Sequence, residues 1–457
     1  MKLKLLLASS LFAVMMSESI AQYLKNENYV NATGVSNNGL VVIYNEYAGP
    51  IYLWNSKTDI TDDLGGTAPG NGYGGLMKFS DDGKYISGSS IVEGSGNIGE
   101  MSRYDSSTNK WNTLGRLGYI NGVTAGAGYS ISGNGKIVVG NSYDSITKKG
   151  VGAVWSGNTK LTNLGTMVAK RASRALDVNH DGSVIAGGQD IGGPYKAIVW
   201  RKNGTENYDA GSYLMIDPSQ GNTSNNLLGE ARAVSGDGKW IGGGGAFISS
   251  YSSDAWLWNE KDGAIILKNT IIEANVTKGY VTGINHDGTI AVGFIAYSDK
   301  FDDAPQNIGF IWTKEGGMKD LNVLVADELK YDLAGDAIQG ANDISSNGKY
   351  ITGVSHMANR PKYHTFLLEL PDNFLSTQQQ TVKTNEVKLY PNPVTDYLNI
   401  DSKDKIEAVK IYNTVGQLVA QPKVSNNKVN LTNLNTGVYN VNITTVSGTK
   451  TYKVIKK

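Results

Sequence analysis

The chain of 457 residues has no cysteine, only 10 prolines, four histidines and no excess charge of either sign, since 42 Lys and Arg balance 42 Asp and Glu. Without cysteine there are no disulfides, thiolate metal sites or thiol nucleophiles, and stability must come from buried surface, which a chain this long can supply. Zero net charge gives no electrostatic footprint for an anionic membrane or for nucleic acid, and no nucleic-acid partner is expected. No apolar run reaches the roughly 20 residues needed to cross a bilayer, so the mature chain should have no transmembrane segment. What is plentiful is glycine, 56 residues, with 25 tyrosines. That profile of tight turns and aromatic strands predicts an all-β protein.

Both ends carry addresses. Lys2 and Lys4 precede an apolar run over residues 5–16, and Ser19-Ile20-Ala21 ends a polar stretch with small residues where a signal peptidase cuts. Residues 1–21 are therefore expected to be a removable signal peptide, and with no cysteine following, a lipoprotein anchor is not expected there. Residues 372–386 are polar and without period, which reads as a linker. From residue 387 the text VKLYPNPVTDYLNI, KIEAVKIYNTVGQLVAQ and VNLTNLNTGVYNVNITTVSGTKTYKVIKK alternates apolar and polar residues between turns, predicting a small β-sandwich over 387–457.

The segment over residues 22–371 repeats. Seven copies of one hairpin appear as VSNNGLVVI, FSDDGKYISG, ISGNGKIVVG, VNHDGSVIAGG, VSGDGKWIGGG, INHDGTIAVG and ISSNGKYITG, with corner glycines Gly39, Gly83, Gly135, Gly182, Gly238, Gly288 and Gly348. Asn or Asp before Gly is a strong hairpin signal, because both tolerate the positive φ that a tight turn demands. Most copies continue to an apolar strand ending in an aromatic, as at Trp54, Trp155, Trp200, Trp258 and Trp312, and several to a fourth short run. Four strands per unit is the bookkeeping of a propeller blade, so the expected fold is a seven-bladed β-propeller followed by the small C-terminal β-sandwich. The last unit lacks a fourth strand of its own, and residues 23–30 are placed to complete it and close the ring, which would remove two exposed edges.

Two resemblances add to this. Leu389, Tyr390, Pro391, Asn392 and Pro393, then Ile411, Tyr412, Asn413 and Gly416, then Leu434, Gly437, Val438 and Tyr439 occur in the order of the type A C-terminal sorting domain of the Bacteroidetes type IX secretion system, which residues 387–457 resemble. This implies the type IX machinery as a partner, passage through the periplasm and the outer membrane, and a final place in the medium or on the outer cell surface. The repeats resemble HAF repeats through Ala197, Ala255, Phe310 and His364-Thr365-Phe366, which implies a propeller-like extracellular fold and no defined chemistry.

No catalytic, cofactor or metal residue is assigned. Asn-His-Asp-Gly occurs at 179–182 and 285–288, but turn chemistry accounts for it, and ligands on nonadjacent blades, His180 and Asp181 against His286 and Asp287, are not expected to meet. The four histidines form no hydrolase signature, Asp302 and Asp303 are sequence neighbours rather than facing acids, and the basic run 170–174 reads as a solvated loop. One pattern does recur. The loop between second and third strands holds a tyrosine in six units, Tyr47, Tyr143, Tyr195, Tyr251, Tyr297 and Tyr363, which in a propeller would share one face and suit stacking on a glycan or anchoring a surface protein. The expected function is a secreted or cell-surface binding propeller. The alternative is a hydrolase or lyase with acids from several blades at the central channel.

Overall fold

The structure is a computed structural model. It describes residues 21–457 apart from 69–75, 93–98, 119–125, 158–159, 205–206, 222, 224, 246–252, 275, 299–305, 358–361, 373, 376–386, 403–404, 414–416, 426 and 446–447. The expected signal peptide, most of the linker, Tyr251, Asp302, Asp303 and Gly416 lie outside the described residues. The chain divides into two compact units, Met1–Asp372 and Asn373–Lys457.

The first unit is a β-propeller built from consecutive antiparallel sheets, seven among the described residues. Their inner strands are Asn31–Val35, Gly126–Ile131, Ser173–Val178, Ala231–Val234, Val276–Ile284 and Ala337–Ile344, for the first and the third to seventh sheets. The second sheet has three regular strands, Tyr85–Ile91, Gly99–Asp105 and Lys110–Thr113. Its inner edge is held by a bridge from Phe79 to Ile86, with the Ser87 N–H donating to the Lys78 carbonyl while the Lys78 N–H donates to the Ser87 Oγ instead of a carbonyl. In the fourth sheet the outer edge is split into Asn207–Tyr208 and Ser212–Tyr213. Between them the Asp209 carboxylate accepts the N–H groups of Arg201 and Gly211, taking the place of ladder bonds.

Alternation along each strand sends successive side chains into the two neighbouring interfaces. Val138 packs with Met101 of the second sheet, while Val139 packs with Trp200 and Ile185 of the fourth. Trp54, Trp200, Trp256 and Trp312 fill such interfaces and are almost fully buried. The interfaces continue past the seventh sheet, where Tyr350 and Leu367 share a core with Ala32, Val41, Ile43 and Trp54 of the first.

Closure is completed by the strand Gln22–Asn26, which pairs antiparallel with Tyr363–Glu369, the third strand of the seventh sheet. Tyr23 is buried there, stacked on Phe366 at 5.6 Å with its hydroxyl 2.6 Å from Ser355 Oγ. Lys25 Nζ pairs with the buried Asp336 at 3.1 Å.

The second unit is a β-sandwich. One sheet holds Lys388–Tyr390, Tyr397–Asp401 and Lys428–Asn430, the other Leu418–Ala420, Ile406–Tyr412, Gly437–Thr445 and Gly448–Lys456. Leu398, Ile400 and Val429 from the first face Val409, Ile411, Val441, Ile443 and Val454 from the second in one core. Asn392, between the two prolines, donates to the Lys453 carbonyl and accepts the Ile455 N–H, both at 2.9 Å, which fastens the Tyr-Pro-Asn-Pro run to the terminal strand. Gly437 opens the long strand, Leu389 is half-buried against the core and Tyr390 is exposed.

All eight tryptophans precede residue 371, so tryptophan fluorescence reports on the propeller alone. Tyr23→Ala should lower its unfolding free energy by about 3 kcal/mol in chemical denaturation followed by that signal. An unchanged midpoint would show that Gln22–Asn26 contributes nothing to closure.

Candidate functional site

The site is made by the corners. Each corner glycine has φ between 72° and 83°, the left-handed region that a side chain resists. Three residues earlier, Ser36, Ser80, Ser132, Asn179, Ser235, Asn285 and Ser345 each accept an N–H of the returning strand at 2.9 to 3.0 Å. These locked corners bond to one another. Asp81 N–H donates to the Gly133 carbonyl (2.8 Å), Asn134 to His180 (3.0 Å), His180 to Gly236 (2.9 Å), Asp237 to His286 (2.8 Å) and His286 to Ser346 (2.8 Å). Asn347 N–H closes the series on the Asn37 Oδ1 at 2.8 Å, across 310 residues of sequence. The corners of sheets two to seven and one are thus joined at one mouth of the channel.

Equivalent positions in the repeat therefore form layers. Two residues before the glycine stand Asn37, Asp81, Gly133, His180, Gly236, His286 and Ser346, and all of these but His286 line one opening together with residues below them. Large and absent side chains alternate here. A Cβ on Gly133 would overlap His180 Nδ1 and lie 2.6 Å from Asp81 Oδ2, and one on Gly236 would overlap His286 Nδ1. The bare backbones of the third and fifth sheets let side chains from the second, fourth and sixth come together. His180 Nδ1 lies 2.6 Å from Asp81 Oδ2, and the His180 and His286 rings meet edge to face with centroids 5.8 Å apart.

This corrects the expectation that side chains on nonadjacent blades do not meet: His180 and His286 do. The two aspartates after them do not join the cluster, for Asp181 bonds to Asn179 and Ser183 and Asp287 to Thr289, within their own turns. In their place stands Asp81, from the SDDG corner of the second sheet.

Five residues before the glycine is the floor: Gly34, Lys78, Ser130, Asp177, Ala233, Gly283 and Asp343. Lys78 Nζ reaches Asp177 at 3.2 Å and Asp343 at 3.3 Å. Asp177 also accepts from Ser130 Oγ at 2.6 Å and Val234 N–H at 2.8 Å, whereas Asp343 has the Val35 N–H at 3.1 Å. Burial pushes the Lys78 ammonium down, but Asp177 and Asp343 overcome this and hold its pKa above the ordinary value. One cation faces two carboxylates, leaving an excess negative charge in a low-dielectric place. Burial pushes the Asp343 carboxyl up to about 6, with Lys78 pulling against that and Asp177 adding to it.

The tyrosine positions lie elsewhere. Antiparallel pairing puts connections between second and third strands at the opposite ends of the sheets from the corners. Tyr47 and Tyr363 are exposed, at 59% and 48%. Tyr143, Tyr195 and Tyr297 are half-buried. Tyr195 lies under the Arg174 guanidinium (4.4 Å), whose Nε donates to the buried Glu230, and the Tyr297 hydroxyl is 2.9 Å from Gln306 Oε1. The ring contacts of Tyr47, to Tyr44, and of Tyr363, to His356, stay within their own sheets. Asn37, Lys78, Asp81, Asp177, Asp343 and Ser346 were missed by sequence reasoning. Stacking the seven hairpins on their glycines and reading down the columns would have found them.

The floor gives a pH signature. In the unfolded chain the Asp343 carboxyl ionises near 3.8, and in the folded one near 6. The folded state therefore binds the extra proton, and the stability this group lends at low pH is lost as pH rises through about 6. Relative to Asp343→Asn, the wild type should lose about 3 kcal/mol between about pH 4 and pH 6, read by tryptophan-detected denaturation. A difference that does not vary with pH would contradict the assignment.

Among the described residues no helix is long and apolar enough to cross a membrane. A stretch of 84 residues is 33% identical to beta-agarase D of Zobellia galactanivorans, covering 18% of this chain and only 17% of that protein. Among solved structures the chain is similar to TolB from Acinetobacter baumannii, with 13% identity over 65% of this chain and 62% of that one and a TM-score of 0.37. It is also similar to the β-propeller domain of the Trilobed protease from Pyrococcus furiosus, with 11% identity over 75% and 95% and a TM-score of 0.42. None of these likenesses carries an activity to this chain. Residues 388–457 match the family described as the secretion system C-terminal sorting domain, which establishes the protein as one bearing a type IX sorting tail, exported and then secreted or attached at the cell surface.

Proposed function

We propose that the chain is a seven-bladed binding propeller over residues 22–371, delivered by a signal peptide at 1–21 and, through the linker 372–386, by the sorting domain at 387–457. Its ligand is taken at the channel mouth bounded by Asn37, Asp81, His180, His286 and Ser346. The carrying observation is the convergence of two imidazoles and a carboxylate from three alternate sheets, with Asp81 and His180 lining one open, polar cup and His286 set edge-on against His180. Amide, hydroxyl, carboxylate and imidazole groups ringing a cup suit a polyhydroxylated ligand, which favours a glycan over an apolar protein surface. Binding is favoured over hydrolysis because the floor carboxylates are both engaged, Asp177 and Asp343 each by Lys78 and a backbone N–H. A hydrolase or lyase at the same mouth is the second reading, supported by the imidazole pair, and product formation from a bound glycan would separate it from the first.

The tyrosine ends of the sheets are the competing surface, supported by the exposure of Tyr47 and Tyr363. On a glycan and protein array, His180→Ala/His286→Ala should abolish the wild-type signal and Tyr47→Ala/Tyr363→Ala should keep it. The reverse pattern would move recognition to the tyrosine side. For delivery, removing residues 388–457 should leave the chain in the periplasm by cell fractionation. A truncated chain still found at the surface or in the medium would show that export does not depend on the tail.

A further inference from the structure

We infer that Asp81, His180 and His286 form a binding site for one divalent transition-metal ion of the zinc class. This rests on the mouth as the site, but adds a ligand that the proposed function does not require. One donor atom from each residue lies within 4.8 Å of the other two. An ion bound tetrahedrally at about 2.1 Å from each would hold its donors about 3.4 Å from one another, a distance that rotations of these exposed and partly exposed side chains can reach. Two imidazoles and one carboxylate with remaining positions open to solvent are the donor set and coordination number of zinc and related first-row ions, and imidazole disfavours calcium and magnesium.

Two further observations point the same way. The gathering depends on glycine at Gly133 and Gly236, where any Cβ would overlap the His180 and His286 Nδ1 atoms, so the backbone on both sides is cut back to let these side chains converge. The corners themselves are fixed by hydrogen bonds between sheets, so the three residues are presented from a rigid frame, as a metal site requires. The charges facing the cluster from below are Lys78, Asp177 and Asp343. One cation against two carboxylates leaves an environment that accepts a positive ion. With three protein ligands the ion would keep open positions directed at the solvent side of the cup, where a hydroxyl or carboxylate of a bound ligand could enter the coordination shell.

The test is zinc titration by calorimetry of the full chain, made without a polyhistidine tag, with cobalt absorption as a second readout. One equivalent of zinc should bind, cobalt should give visible bands of a nitrogen and oxygen site, and magnesium should give no heat. His180→Ala and His286→Ala should each weaken zinc binding on the order of a hundredfold, and His356→Ala, an imidazole at the other end of the seventh sheet, should leave it unchanged. Each variant is checked by tryptophan-detected unfolding without metal. If a variant does not fold, the wild-type cobalt spectrum and stoichiometry decide. Absence of stoichiometric zinc binding by the wild type, or binding that survives the double variant, would overturn the site and leave an ordinary His180 to Asp81 hydrogen bond. Array binding at the mouth that persists in chelator would then keep the proposed function without the metal. Zinc binding by a chain whose mouth variants leave array binding unchanged would do the opposite.

Discussion

The hydrogen-bonded corner is the constraint on which the propeller depends. A glycine at positive φ turns the chain, a Ser or Asn three residues earlier ties the returning strand, and the exposed backbone between them is free to bond the next corner. Because each corner is rigid, bonding it to its neighbour fixes the angle between sheets as well as their distance. Packing of Trp54, Trp200, Trp256 and Trp312 then fills the wedges that this angle opens. The hydrophobic interfaces supply most of the stabilisation, but they are non-directional, and it is the polar corners that set where equivalent residues stand.

From that follows the chemistry of the channel. A repeat held in register converts one sequence column into one ring of side chains. The column two before the glycine makes the mouth, and the column five before it makes the floor. Small residues in either ring are as consequential as large ones: Gly133 and Gly236 create the room in which Asp81, His180 and His286 meet, and Gly34, Ala233 and Gly283 leave the floor to Lys78, Asp177 and Asp343. Burial of the floor drives the Asp343 carboxyl upward, and the neighbouring Asp177 charge adds to it against the pull of Lys78.

Much of the architecture was legible in the sequence. Asn-Gly and Asp-Gly turns, period-two strands ending in tryptophan and the missing last strand suggested the sheets and the role of Gln22–Asn26, and the ordered Tyr-Pro-Asn-Pro segment indicated the tail. What was not legible was distance across the ring. Periodicity reports which face of a strand a residue occupies, not how closely residues of alternate sheets approach over a narrow channel, so His180 and His286 were wrongly kept apart. The irregular edges were also hidden, since they turn on single side chains, Ser87 and Asp209, that substitute for backbone partners. The tail was easier because its signal, the contiguous Tyr390-Pro391-Asn392-Pro393 run, is local in sequence.

The cysteine-free chain permits a direct test of the series of bonded corners. Asn37 and Asn347 stand at its two ends in sequence and are joined by two hydrogen bonds, at 2.8 and 3.0 Å. With Asn37→Cys and Asn347→Cys introduced together, a short bifunctional thiol reagent should link them within one molecule and shift the band in a denaturing gel. Thiols that stay unlinked under native conditions, while both react singly, would mean that the seventh corner does not meet the first and that the channel mouth does not exist.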